Sequence, residues 1–94
     1  MELTQKELTS CEWQLKFRLP SGILLGKDRS GKALRIFPNE YLSRRLQYAT
    51  KMVHGFKGDF DIASIYAKIN GVDMGEVARY NKDKKCVELI DSFN

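Results

Sequence analysis

The sequence holds one histidine, two cysteines, two prolines and one tryptophan in 94 residues, and each shortage removes a class of chemistry. With His54 as the single imidazole, a multi-histidine metal site is impossible. Cys11 and Cys86 lie far apart in the chain, neither with a second ligand at zinc spacing, so no metal or other cofactor is expected. A Cys–His nucleophilic pair drawn from them would lack an orienting third group and an oxyanion site, and no enzymatic activity is expected. His54 falls near the end of a helical pattern, where the helix dipole favours a cation. Asp59 and Asp61 sit just ahead of a further pattern and read as a helix start rather than an acid/base pair. Gly22, Gly26 and Gly31 lack the strand–glycine–helix order of a phosphate-cradling loop.

Two cysteines do not make a disulfide framework, and the opening stretch Met1 to Ser10 has no basic start followed by an apolar run of the secretory kind. A cytoplasmic protein with free thiols is expected, a bridge between the chain ends requiring Cα atoms within about 7 Å. No apolar stretch approaches the roughly 18 residues of a membrane span, so no membrane partner is expected. Repeats, low-complexity segments and Pro/Gly/Ser-rich linkers are missing, which leaves one domain, residues 1–94. A chain this short buries only about 60 to 65 % of its unfolded surface. It therefore favours a shallow binding surface over an enclosed active site.

What is present is periodic. Thr4 with Glu7 three positions later has capping-box spacing and predicts a short first helix before Ser10. Trp13, Leu15, Phe17 and Leu19 alternate with Gln14, Lys16 and Arg18, a strand with one buried face. Pro20, Ser21 and Gly22 supply a turn. The run Ile23, Leu24, Leu25, the polar turn from Asp28 to Gly31, and Ala33, Leu34, Ile36 and Phe37 complete a three-stranded antiparallel meander. Pro38 and Asn39 break it. From Glu40 the positions Leu42, Leu46, Ala49 and Val53 recur at helical spacing up to Gly55, with Tyr41, Tyr48 and Met52 widening the stripe. Ile62, Ile65, Tyr66 and Ile69 fit one more helix face closed by Gly71, and Asp73 with Glu76 starts another helix carrying Val77 and Tyr80 inward. The tail Cys86 to Ile90 suits a strand or a helical turn equally. The expected fold is α+β: a short N-terminal helix, a three-stranded meander, three helices and a short C-terminal element.

The net charge of +4 is unevenly spread. Met1 to Trp13 has one basic and three acidic residues, Gln14 to Lys57 ten against two, and Gly58 to Asn94 five against seven. The middle segment alone is therefore +8, with −2 on either side. Lys16 and Arg18 share the polar phase of the first strand, Lys27, Arg29 and Lys32 crowd the second turn, Arg35 lies in the third strand, and Arg44, Arg45, Lys51 and Lys57 follow on or after the helix. If these converge on one face they form a surface for a polyanion, with Arg18, Arg29 and Arg35 placed to read bases. Solvation of an exposed face explains the same residues without a ligand. Tyr41 and Tyr48 are the aromatics free to stack on unpaired bases, since Trp13 and Phe17 fall on the apolar phase.

The stretch Ala63 to Lys82, ASIYAKINGVDMGEVARYNK, resembles the helix-turn-helix of bacterial and phage DNA-binding regulators. Ala67 matches the small residue of the first helix, Gly71 the turn, Val72 the position after it, and Val77 and Tyr80 the inward side of the second helix. The resemblance implies a recognition helix presenting Asp73, Met74, Gly75, Glu76 and Arg79. The same spacing, with Asn81, is also similar to the two-helix portion of LysM-type carbohydrate-binding modules. Two functions follow as expectations. One is a small non-enzymatic nucleic-acid-binding protein, regulatory or accessory, using Lys16, Arg18, Lys27, Arg29, Lys32, Arg35, Arg44, Arg45 and Lys51. The other is a protein-interaction factor, including a phage-type one, that docks the same basic surface on an acidic partner or host enzyme and modulates it.

Overall fold

The computed structural model describes residues 3–27, 30–32 and 41–93. The capping box at the N-terminus forms. Thr4 Oγ1 accepts from the Glu7 amide at 3.2 Å and the Glu7 carboxylate accepts from the Thr4 amide at 3.1 Å, starting α1 (Gln5–Ser10) and seating Leu8 in the core. The alternating segment becomes β1 (Glu12–Leu19), with Trp13, Leu15 and Phe17 buried. After the Pro20-Ser21 turn, β2 (Gly22–Leu25) pairs back on β1, placing Leu19 opposite Gly22.

The expected meander and three-helix arrangement do not describe the rest. Its third strand, at Ala33 to Phe37, lies outside the described residues. The helix α2 (Leu42–His54) follows, and the neighbour of β1 in the sheet is β3 (Ile62–Ile69), which continues into β4 (Val72–Asn81) and β5 (Cys86–Leu89) before a single 3₁₀ turn, Asp91–Phe93. The strands form one antiparallel sheet in the order β2-β1-β3-β4-β5.

Two helices were expected across 63–82, and the structure has a β-hairpin there. Asn70 and Gly71 are its two turn residues, with φ of 52° and 79°, and Ile69 faces Val72 across the ladder. Positive φ at both central positions is the type I′ hairpin turn, whose twist matches that of the flanking strands. The apolar residues at helical spacing lie in fact on both faces of a strand, and the buried phase is Ala63, Ile65 and Ala67. Asp73 caps no helix. Its carboxylate accepts from the Gly75 amide at 3.0 Å, inside a bulged stretch where the register against β3 shifts and Gly75 takes φ of 100°. The C-terminal tail resolves as a strand, β5.

The core lies between the sheet and α2. Trp13, Leu15, Phe17, Ala63, Ile65, Ala67 and Val87 meet Ala49 and Val53, with Leu3 and Leu8 closing one end. Thr50 Oγ1 accepts from the Val87 amide at 2.8 Å and ties α2 to the edge strand β5. The opposite face of the sheet carries Lys16, Arg18, Ser64, Tyr66, Glu76 and Arg79.

Candidate functional site

Gly26 ends β2 with its amide donated to the Leu15 carbonyl at 2.7 Å. A Cβ on Gly26 would lie 2.9 Å from two atoms of the buried Leu15 side chain. Only glycine allows this approach, and it turns Lys27 outward beside the C-terminal half of α2. Between the two elements runs an open groove of about 1360 Å³. Leu15 and Phe17 form its floor, Leu24 and Leu25 one wall, and Tyr48, Lys51 and Met52 the other, with Phe56 and Lys57 at the end. Phe56 stacks on Phe17 with ring centroids 4.1 Å apart, so the chain leaving α2 is held against the floor. Leu24 and Leu25 are each 39 % exposed on the groove, and Ile23, which faces the other side of the sheet, is 64 % exposed, unusual for aliphatic residues on a strand that is an edge among the described residues.

Among its described lining residues the groove's charge has one sign. Lys27, Lys51 and Lys57 rim it, and no carboxylate is among its described lining residues. The opposite face of the sheet differs. There Lys16 pairs with Asp73 at 2.9 Å and Arg18 pairs with Asp61. The Asp73 carboxyl is pushed up by partial burial, but the Lys16 hydrogen bond, the Gly75 amide and the nearby positive charge outweigh this and hold it below the usual carboxylate range. The Arg18 hydrogen bond and charge hold Asp61 low in the same way.

Of the nine cations read from the sequence, the seven described ones do not gather on one surface. Lys27 and Lys51 meet at the groove, joined by Lys57. Lys16 and Arg18 lie on the opposite face of the sheet, and Lys32 is exposed in the segment that follows β2. Arg44 is exposed on α2, its guanidinium 5.7 Å from the Tyr41 ring centroid. Arg29 and Arg35 lie outside the described residues. Arg45 is fully buried: its Nη1 donates to the Leu8 and Cys11 carbonyls at 2.6 and 2.7 Å, and the guanidinium lies 5.4 Å from the Trp13 ring centroid. It is a structural cation, closing the C-terminal end of α1 where carbonyls need donors.

Sequence reasoning missed the apolar half of the site. The signal was the unbroken run Ile23-Leu24-Leu25, which does not alternate as a half-buried strand would; Leu24 and Leu25 of that run line the groove. No family model, curated protein or solved structure matches this chain. Function therefore rests on the geometry alone.

Other candidate chemistry is dispersed. Among the described residues no three His, Cys, Asp or Glu side chains group to hold a metal ion. Cys11 and Cys86 are free thiols, and burial pushes Cys11 up despite the nearby Arg45 charge. His54 Nε2 stands 3.0 Å from both the Tyr80 hydroxyl and the Lys85 carbonyl, linking the end of α2 to the β4–β5 turn. No described helix is long and apolar enough to cross a membrane.

Proposed function

We propose that this protein is a non-enzymatic docking module that receives an acidic, amphipathic segment of a partner protein in the groove between α2 and β2. The observation that carries the reading is the pairing of an apolar floor with a rim of three lysines and no described carboxylate. Leu24, Leu25, Met52 and Phe56 would accept apolar anchors. Lys27, Lys51 and Lys57 would meet acidic side chains flanking those anchors and reject basic ones.

A second reading has its own support. Arg44, Tyr48 and Lys51 follow one another at spacings of four and three along α2, so they share one helix face, and Tyr41 at the N-cap lies beside Arg44, with Tyr41 74 % and Tyr48 40 % exposed. Exposed rings alternating with cations are the elements of a single-stranded nucleic-acid platform. The dispersal of the other described cations, Lys16 and Arg18 on the far face of the sheet and Arg45 in the core, weakens it.

Anisotropy titrations with a labelled Glu/Leu amphipathic peptide and with single-stranded and duplex DNA, each at low and high salt, separate the two. The docking reading expects saturable peptide binding that survives moderate salt, because the floor supplies an uncharged part of the energy. Each rim charge reversed removes an attraction and adds a repulsion, about 1 kcal/mol apiece. The pair Lys51→Glu and Lys57→Glu should then weaken binding at least tenfold, at about 1.4 kcal/mol per tenfold. Tight DNA binding lost on Tyr48→Ala, with no peptide binding, would replace this reading with the nucleic-acid one.

A further inference from the structure

The sheet face turned away from α2 carries a second hollow, which shares only Phe17 with the groove. It arises from strand register. Lys16 on β1 faces Ser64 on β3, and Ser64 faces Arg79 on β4, so three side chains stand in a row across neighbouring strands spaced about 4.8 Å apart. A serine between two long cations leaves a notch. Ser64 is only 5 % exposed, lines the floor, and its hydroxyl makes no hydrogen bond among the described residues. The hydroxyl opens into the hollow and is free to donate to a ligand there. In the next row Arg18 stands between Ile23 and Ile62, setting a third cation beside an apolar shelf. The lining thus holds three cations against one carboxylate, Glu76.

The ion pairs on this face orient the cations without exhausting them. Lysine has three N–H donors and arginine five. Lys16 gives one to Asp73, leaving two; Arg18 gives one to Asp61, leaving four; Arg79 gives Nε and one Nη2 donor to Glu76, leaving three. Asp73 and Asp61 do not line the hollow themselves. The ammonium of Lys16 is further fixed 4.2 Å from the Tyr66 ring centroid. Donors from three side chains and a hydroxyl below suit an anion with three oxygens on a tetrahedral centre. A planar carboxylate would be met by one guanidinium alone.

We propose that this hollow binds a small phosphate monoester, its phosphate seated over Ser64 between Lys16 and Arg79 and its organic group resting on Ile62 and Ile23. The volume, about 300 Å³, lies at the bottom of the range of ligand pockets, about 300–1,000 Å³, and fits a compact ester. The site is independent of the docking groove.

The test is an amide-resolved NMR titration of the full chain with phenyl phosphate, inorganic phosphate and phenol. Phenyl phosphate should produce saturable shifts confined to β1, β3 and β4 around Lys16, Ser64 and Arg79. Inorganic phosphate should bind several-fold more weakly and phenol should leave the amides unmoved. Arg79→Leu and Lys16→Gln should each weaken phenyl phosphate at least tenfold and Ser64→Ala several-fold, whereas Lys51→Ala in the groove should leave it unchanged. Urea midpoints of the variants guard against a folding loss, and Lys16→Gln, on an exposed pair, serves if Arg79→Leu is unstable. Non-saturating shifts, shifts spread equally over Lys27, Lys51 and Lys57, equal affinity for inorganic phosphate, or indifference to the Lys16 and Arg79 substitutions would each overturn the assignment.

Discussion

Replacing Arg45 is the sharpest probe of how this small core is held. Its guanidinium is fully buried, donates to the Leu8 and Cys11 carbonyls, and lies against Trp13. A hydrogen bond from a charged donor contributes about 1.5–3 kcal/mol, and the contact with the indole about 0.5–2 kcal/mol. Against these stands the cost of keeping a cation out of water, several kcal/mol, which an apolar replacement avoids. In Arg45→Met the Leu8 carbonyl keeps its bond from Trp13 Nε1 at 3.1 Å, and the Cys11 carbonyl loses the donor Arg45 supplied, for a net loss of about 2 kcal/mol. Arg45→Ala adds a cavity and should lose about 3–5 kcal/mol. Urea unfolding followed by fluorescence of the single tryptophan, Trp13, measures both. On thermal scans the Met variant should melt roughly 8–16 °C lower, at about 4–8 °C per kcal/mol for a domain of this size. An Arg45→Met protein as stable as the parent would refute the reasoning, showing that desolvation cancels what the two carbonyls and the indole return.

Two further outcomes follow from other parts of the fold. Gly71→Val places a β-branched residue at φ of 79° in the hairpin turn and should cost about 1–2 kcal/mol or more, read as a lower urea midpoint with an unchanged slope. Asp73 and Asp61 have carboxyls held below their unfolded values, so the stability they lend is present above about pH 4 and is lost as pH falls through their folded values. Asp73→Asn should flatten the acid side of a stability-versus-pH curve and lower the plateau above about pH 4 by a constant amount, leaving the slope above neutrality unaltered.

The parts of the fold that could be read from the sequence are those where one pattern stands alone. Thr4 with Glu7 marks α1, the alternation from Trp13 to Leu19 marks β1, and Leu42, Leu46, Ala49 and Val53 mark α2. The segment from Ile62 onward fits two templates at once. Ile62, Ile65, Tyr66 and Ile69 recur at helical spacing, while Ala63, Ile65 and Ala67 alternate, and the alanines are too small to advertise a buried face. The deciding signal was the dipeptide Asn70-Gly71, a strong local mark of a hairpin, read instead as a helix end. Arg45 carried a signal of the same kind. It sits three residues after Leu42 and four before Ala49, on the apolar phase of α2, and a charge on that phase points inward. The cation cluster failed for a longer-range reason, since whether charges on separate strands and a helix share a face depends on strand order, which periodicity does not contain.

Strand order also sets when the molecule can be completed. β3, β4 and β5 are joined by turns of two and four residues, so their pairing closes small loops. The seam between β1 and β3 joins Glu12 to Lys68 and Arg18 to Ile62, across the whole of β2 and α2. Loop-closure entropy makes such distant pairings slow. The C-terminal three-strand sheet is then the natural nucleus, and the N-terminal hairpin arrives last, carrying with it one wall of the groove.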